Sequence, residues 1–434
     1  MKLQTILNRL QKLHPKEIDL SLDRVKNLCK KLGNPQNNLK YISVVGTNGK
    51  YSTIQAIRAI LKEANINCNI YTSPHIQRIN ERFIYDDKEI EDDDLAKILA
   101  EVEEINNGEP ITYFEILTAT YFYYAKNYKD NLNIIESGLF HRFDATNIID
   151  SNLASIVTSI GLDHLDWLPE NEPTIEKIVF EKTSSLLNSK IIVSNQSSKE
   201  ILELIKKSID QNKSEKVIFN ENFSYSVNEN GFIYYEDEYG PIKLPKPNIL
   251  GDFQIDNITA AIATARKLNL NISDVEIIKG VTKIKSIARL QEITSGKIKN
   301  LIKNNKLFVD GSHNPLGAKV LNEYLKNIEE DKKMYNTYNI ISTNSKNYRI
   351  IINDGNEVFS KILSNSELNH NITKQSFKVN QNKSYVELID FDILNNTDNG
   401  WVELDTNEYI NLNNIKSINN NNQRKRNDDY IYID

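Results

Sequence analysis

A chain of 434 residues, 39% hydrophobic and 26% charged, has the makeup of a globular protein with room for two domains. Its net charge of −6 offers no broad basic surface for nucleic acid, and two isolated cysteines, Cys29 and Cys68, suggest neither a disulfide framework nor a zinc site. No apolar run is long enough to span a bilayer, and Met1 to Leu13 lacks the core of a secretory signal, so a cytoplasmic protein without membrane attachment is expected.

Leu3, Ile6, Leu7, Leu10 and Leu13 recur at helical spacing, and a second helix carries Val25, Leu28 and Leu32 up to Gly33-Asn34-Pro35. The β-branched run Tyr41 to Val45 then ends at Gly46-Thr47-Asn48-Gly49-Lys50-Tyr51-Ser52, followed by Ile54, Ile57, Ile60 and Leu61. Strand, glycine-rich turn and helix form the setting in which backbone N–H groups cradle phosphates. Lys50 would meet the outer phosphates, and Ser52 would offer a hydroxyl to Mg²⁺. Tyr51 breaks the strict P-loop spacing, so a merely structural corner stays open on this stretch alone.

A strand at Cys68 to Tyr71 leads into Thr72-Ser73-Pro74-His75. Glu91 to Asp94 reads as the acidic first turn of a helix bearing Leu95, Ile98, Leu99 and Val102, with metal binding a poorer reading. Thr112 to Tyr128 reads as a buried helix whose tyrosines are core rather than a stacking platform. Further strands are expected at Leu132 to Ile135, ending at Glu136, at Ala154 to Ile160, ending at Gly161-Leu162-Asp163-His164, and at Ile191 to Val193. Strands alternating with helices predict an α/β fold with a doubly wound, mostly parallel sheet.

Ser194 to Glu238 looks peripheral, an alanine-rich helix ends near Leu268, and Arg289 sits in a turn-like stretch. Lys306 to Asp310 looks like a strand leading into Gly311-Ser312-His313-Asn314-Pro315 and a helix to Leu325. Beyond Lys332 the chain turns asparagine-heavy, with strand-like runs at Tyr348 to Ile352 and Tyr385 to Ile389, and Asn419 to Arg426 reads as a frayed tail. The expected domains are residues 1–295, a short 296–335 segment opening a smaller second domain, and an atypical 336–434 region. Parallel strands would bring Lys50, Ser52, Glu136 and His164 to one edge of the sheet, a donor set suited to a divalent ion.

Taken together, these segments resemble the dihydrofolate synthase/folylpolyglutamate synthase family of Mur-type ligases. The likeness rests on His14-Pro15-Lys16-Glu17-Ile18-Asp19-Leu20, Gly46-Thr47-Asn48-Gly49-Lys50, Thr72-Ser73-Pro74-His75 with Asn80-Glu81-Arg82, and Thr112-Tyr113-Phe114-Glu115. Asp144-Ala145-Thr146-Asn147, Thr158 to His164, Glu181-Lys182 and Asp310 to Pro315 follow in the family's order, and the similarity ends near Leu325.

The resemblance implies an ATP- and Mg²⁺-dependent ligase that phosphorylates a carboxylate of dihydropteroate or a folate and joins it to L-glutamate. It implies ATP contacts at Gly46, Thr47, Asn48, Gly49, Lys50, Ser52, Asn257, Arg289 and Asp310. Ser52, Ser73, Glu136 and His164 would surround the metal. Lys182 aligns with a lysine that becomes carbamylated, and His313 with the histidine opening the second domain. Ile18, Asp19, Leu20, Thr112, Tyr113, Phe114, Glu115, Phe143, Asp144 and Ala145 align with the pterin pocket. The expected partners are these small molecules alone, bound by a monomer.

Three places depart from the family pattern. Tyr51 and Phe140-His141 replace glycines, and Thr183-Ser184 replaces Ala-Gly after Lys182. A bulky residue at positive φ costs about 1–2 kcal/mol. Strain at these positions would favour a pseudoenzyme that binds pterin or nucleotide without ligating, and a Mur-type ligase acting on another carboxylate is a further alternative.

Overall fold

The central element is β1 (Lys40–Val45), a buried strand flanked on both sides by parallel neighbours. The computed structural model describes residues 2–16, 19–296 and 306–328, and beyond them the strand segments 337–342, 347–353, 358–364, 378–380 and 385–387. The chain divides into two compact units. The first comprises Met1–His75, Ile79–Asn248 and Phe253–Lys285; the second comprises Ile76–Arg78, Ile249–Asp252 and Ser286–Asp434. The division falls at Lys285, ahead of the expected 295, and places Arg289 in the second unit.

In the first unit α1 (Leu3–Leu10) and α2 (Asp23–Lys31) precede β1, and α3 (Lys50–Glu63) follows it. Next come β2 (Cys68–Tyr71), β3 (Phe83–Tyr85), β4 (Lys88–Glu89), α4 (Asp92–Asn106), α5 (Tyr113–Ala125) and β5 (Leu132–Glu136). The chain continues through β6 (Ala154–Val157), α6 (Ile175–Thr183), β7 (Lys190–Val193), α7 (Lys199–Ile209) and β8 (Glu215–Ile218). These strands form one eight-stranded sheet, ordered β4-β3-β2-β5-β1-β6-β7-β8. Every pair from β2 to β8 is parallel; β3 and β4 add an antiparallel edge. The expected doubly wound, mostly parallel sheet is therefore present.

Strand order reverses around β1: β5 lies on one side and β6 on the other. Val44 pairs with Glu136 and Val45 with Val157, so the carboxyl ends of all three strands share one edge. Open α/β sheets place ligands in the crevice at such a switch point.

One core packs α1, α2, α4 and α5 against Tyr41 and Tyr71, through Leu10, Leu28, Leu99, Val102 and Phe122. Tyr121 is fully buried, 4.9 Å from Tyr71 and 5.5 Å from Tyr85, so the tyrosines serve as core, as expected. The acidic run is the first turn of α4, where its charge complements the helix dipole. A second core joins Val157, Ile178, Ile191, Ile205 and Ile218.

The expectation of a peripheral Ser194 to Glu238 segment needs correction. Its first half is α7 and β8, and β8 extends the main sheet alongside β7. Only β9 (Phe223–Val227) and β10 (Ile233–Asp237) stand apart, forming with β11 (Ile242–Leu244) a separate antiparallel sheet. The unit closes with α8 (Phe253–Lys267), buried along most of its length, and α9 (Asp274–Val281).

In the second unit β12 (Gln291–Glu292) pairs with β13 (Phe308–Val309), and α10 (Pro315–Ile328) follows. Strands β14 (Thr337–Ser342), β15 (Asn347–Asn353) and β16 (Val358–Ser364) form an antiparallel sheet, and β17 (Lys378–Asn380) pairs with β18 (Tyr385–Glu387). The run at Tyr348 to Ile352 falls within β15; of the run at Tyr385 to Ile389, Tyr385 to Glu387 form β18, while Leu388 and Ile389, like the tail from Asn419, lie outside the described residues. Among the described residues no helix is long and apolar enough to cross a membrane.

Candidate active site

The loop from β1 to α3 is shaped by two glycines. Gly46 has φ of +148°, and a Cβ there would lie 2.0 Å from Thr158 Oγ1. Gly49 has φ of +90° and sits at the N-cap of α3, where a Cβ would lie 2.2 Å from Asn257 Oδ1. Only glycine fits both demands. The N–H groups of Thr47 and Asn48 donate to the Ser159 carbonyl, and the Thr47 hydroxyl donates to that of Gly161. These bonds tie the loop to the end of β6. The first N–H groups of α3 have no intrahelical acceptors, which makes this helix start a receptor for an anion.

Three charged side chains converge beneath the loop. Lys50 Nζ donates to the carbonyls of Gly46 and Thr47 and lies 3.9 Å from Glu136 Oε1. Lys182 Nζ reaches the same Gly46 carbonyl, and that of Leu139, each at 3.0 Å. Burial, reinforced by the nearby Lys50 cation, pushes the Lys182 ammonium down to about 7. Glu136, the last residue of β5, also accepts from the Ser73 N–H at 3.2 Å. Ser52 is buried in the first turn of α3.

His164 follows β6 in a left-handed conformation (φ +54°), and its Nε2 lies 3.6 Å from Asp163. No group of three or more His, Cys, Asp or Glu suited to a metal occurs among the described residues. The expected set contains only one carboxylate and one imidazole, completed by two hydroxyls. This is hard-donor chemistry that suits Mg²⁺ or Mn²⁺, with water filling the remaining positions.

The loop after β5 is anchored to α6. Arg142 forms a two-pronged pair with Glu181 (2.8 and 2.7 Å), and the N–H groups of His141 and Arg142 donate to the Glu181 carbonyl. His141 is buried and its Nδ1 lies 3.0 Å from Ser137 Oγ; burial, then Lys182, hold the imidazole down at about 4. Asp144 is buried and accepts from the N–H groups of Gly138 and Thr146 and from the Thr146 hydroxyl. Burial raises the Asp144 carboxyl against the pull of those bonds. Its main visible work is to fold its own loop, a use that sequence reasoning, which cast it as an acceptor for a heterocycle, did not foresee.

The expected strain does not arise. Tyr51 lies within α3, and neither Phe140 nor His141 is at positive φ. Phe140 packs into the second core, with Lys182 Nζ 5.4 Å from its ring centre. The backbone argument for a non-catalytic relative therefore falls away.

The residues aligned with the pterin pocket form a second cluster. Thr112 and Glu115 make a capping box at the start of α5. The buried Glu115 carboxylate takes two bonds from Arg24 (3.0 and 2.9 Å), and Arg24 also binds Asp19 at 2.7 Å. Arg24 thus ties the segment around Asp19 to α5. It was not among the expected site residues, and its only sequence signal was a cation within a segment carrying matched carboxylates. Phe114 stacks on Tyr71 at 6.0 Å, and Tyr113 is half-buried. Ala145 is buried, while Leu20 and Phe143 expose apolar surface. Ile18 lies outside the described residues.

In the second unit Asp310 is buried and accepts from the N–H groups of Leu290 (2.6 Å) and Ser312 (2.8 Å) and from the Ser312 hydroxyl. Arg289 lies between Ala288 and Leu290, both at φ of +50°. Such left-handed non-glycine residues store strain that the surrounding bonds must hold. His313 Nδ1 lies 2.9 Å from the Gly311 carbonyl.

A phosphate loop at the switch point of a parallel sheet, matched over residues 44–265 by the Mur ligase middle domain family, defines a Mur-type ligase. Over 337 residues the chain is 31% identical to the dihydrofolate synthase/folylpolyglutamate synthase of Haemophilus influenzae, covering 74% of this chain and 72% of that one. The solved structure of Escherichia coli FolC in complex with DHPP and ADP aligns with a TM-score of 0.68 at 28% identity, covering 77% of this chain and 76% of that one. The bifunctional folylpolyglutamate synthase/dihydrofolate synthase of Yersinia pestis, complexed with AMPPNP and a Mn ion, aligns at 0.66 and 28% identity, covering 76% of each. The chain belongs to the dihydrofolate synthase/folylpolyglutamate synthase family of Mur-type ligases.

Proposed function

We propose that this protein is an ATP-dependent ligase that joins L-glutamate to the carboxylate of dihydropteroate, of a folate, or of both. The observation that carries the reading is the convergence of Lys50, Glu136 and Lys182 on the phosphate loop, in a chain of this family.

A carboxylate is a poor electrophile, and here it must meet a second anion. Phosphorylation by ATP makes it an acyl phosphate; the glutamate amine then attacks the carbonyl carbon, inorganic phosphate leaves, and the amine loses a proton. Catalysis is therefore mainly positioning and charge stabilisation. The N–H groups at the start of α3 cradle the phosphates, and Lys50 leaves Glu136 to follow the transferring phosphoryl group. Ser52, Ser73, Glu136 and His164 would hold a divalent cation, which when bound screens the phosphate charge.

Lys182, held near neutrality by burial, is suited to add its amine to CO₂, releasing a proton and becoming an anionic carbamate. Glu115, Asp19, Thr112, Tyr113, Phe114, Phe143, Asp144 and Ala145 line or shape the pterin pocket. Asn257, against which a Cβ at Gly49 would press, serves the nucleotide in the first unit, and Arg289, Asp310 and His313 of the second unit keep the nucleotide and catalytic roles that the family resemblance implies. We assign the protein to the cytoplasm as a monomer without nucleic-acid or membrane partners.

The test is ADP release by the purified protein with ATP and Mg²⁺. Release that requires both a pterin carboxylate and L-glutamate is expected, and the preferred pterin names the reaction. Release that ignores either co-substrate contradicts the assignment.

A further inference from the structure

Arg82 is one of the most deeply buried cations in the first unit, with 6% of its surface exposed. Its Nε donates to His75 Nδ1 at 2.9 Å. Among the described residues its two terminal nitrogens, Nη1 and Nη2, have no hydrogen-bond partner. A guanidinium carries five N–H donors, and the terminal ones here are not among the fully enclosed side-chain atoms that lack a partner, so they stay open to an incoming acceptor. Arg24, Arg142 and Arg266, by contrast, each engage carboxylates with their terminal nitrogens.

The surroundings point to what fills this gap. The Arg82 carbonyl accepts from the Thr72 N–H, beside Ser73, whose N–H donates to Glu136, and the following Phe83 packs on Tyr71. Glu136 belongs to the phosphate-loop cluster, whereas Tyr71 stacks on Phe114 of the proposed pterin pocket. His75 is kept neutral, pushed down to about 3 by burial and by Arg82 itself, so it orients the guanidinium without neutralising it. The result is a planar cation in the field of Glu136 and Glu81, next to residues of both the phosphate-loop cluster and the proposed pterin pocket.

We propose that the Nη1–Nη2 edge of Arg82 binds the acceptor carboxylate of the pterin substrate and holds it in position for phosphorylation. The proposal rests on the ligase reading above and adds a residue to it. A planar fork matches a carboxylate in a two-pronged geometry that lysine cannot reproduce. His75 is then a positioning residue, because it fixes the guanidinium plane through Nε.

The experiment compares binding of dihydropteroate with binding of its analogue lacking the carboxylate, in the absence of ATP, by titration calorimetry. The wild-type protein should favour the carboxylate by about 10–100-fold, the size expected of a charge-assisted two-pronged bond. Arg82→Met should lose that preference while binding the neutral analogue with unchanged affinity. Arg82→Lys retains a buried cation and so guards against misfolding; it should keep only part of the preference. A preference that survives undiminished in either variant overturns the proposal. Wild-type protein that binds both ligands equally overturns it while leaving the ligase reading intact. Wild-type protein that binds neither ligand defeats the pterin reading and this proposal with it.

Discussion

Replacing Gly49 with alanine tests whether the phosphate loop is held as described. The residue sits at φ of +90°, which costs an L-amino acid about 1–2 kcal/mol. The added Cβ would also lie 2.2 Å from Asn257 Oδ1, far inside van der Waals contact. Asn257 is buried and donates to Gln254 Oε1 at 3.0 Å, so moving its amide disturbs a buried bond worth about 1 kcal/mol. The sum is a loss of about 2–3 kcal/mol, with a displaced loop and weakened ATP binding.

Urea denaturation of Gly49→Ala, Asn257→Ala and the double variant separates the two contributions. The double variant removes the clash but not the backbone strain, so the two single losses should exceed the double loss by about 1 kcal/mol. Strictly additive effects, or a Gly49→Ala protein as stable as the wild type, would refute the geometry.

Other substitutions probe the rest of the site. Lys50→Ala should abolish measurable ATP binding while the fold is retained; unchanged nucleotide affinity by calorimetry would remove the loop from the ATP site. Arg24→Ala takes the cation away from the buried Glu115 carboxylate and leaves it the Thr112 N–H of the capping box. It should cost about 2–3 kcal/mol, less than a fully buried pair because Arg24 is partly exposed, and should raise the pterin KM while sparing ATP affinity. Lys182 has a folded-state value near 7 against 10.5 for the free side chain, so between those values the unfolded chain binds a proton that the folded protein does not. Stability carried by this group therefore rises with pH from about 7 upward, and the burial penalty is fully present below. In CO₂-free buffer Lys182→Met should flatten that rise, and a variant that keeps the wild-type slope would disprove the origin assigned to it.

Much of the phosphate site was legible because it is local. A β-branched run, a glycine turn and a 3.6-residue pattern lie within about twenty residues, and the strand ends bearing Glu136 and His164 carry the same signal. The tyrosine core and the acidic first turn of α4 were legible for the same reason. What escaped was short or long-range. Strands β3 and β4 span three and two residues, too few to show a period. Strand β8 opens with Glu215 and Lys216, which disguises its place in the main sheet. The Arg24–Glu115 pair joins positions 91 residues apart, and no local pattern reveals it. The tight turns at Ala288 and Leu290 likewise depend on Asp310, twenty residues beyond Leu290. The glycine replacements at Tyr51, Phe140 and His141 looked disruptive because sequence gives no φ; the backbone at all three is ordinary.

The central claim is that a carboxylate oxygen becomes a phosphate oxygen during ligation. Dihydropteroate labelled with oxygen-18 in its carboxylate, incubated with ATP, Mg²⁺ and L-glutamate, tests this directly. An acyl-phosphate route must transfer one labelled oxygen to inorganic phosphate for each amide bond formed, as read by mass spectrometry of the phosphate. Amide formation with unlabelled phosphate would contradict the account.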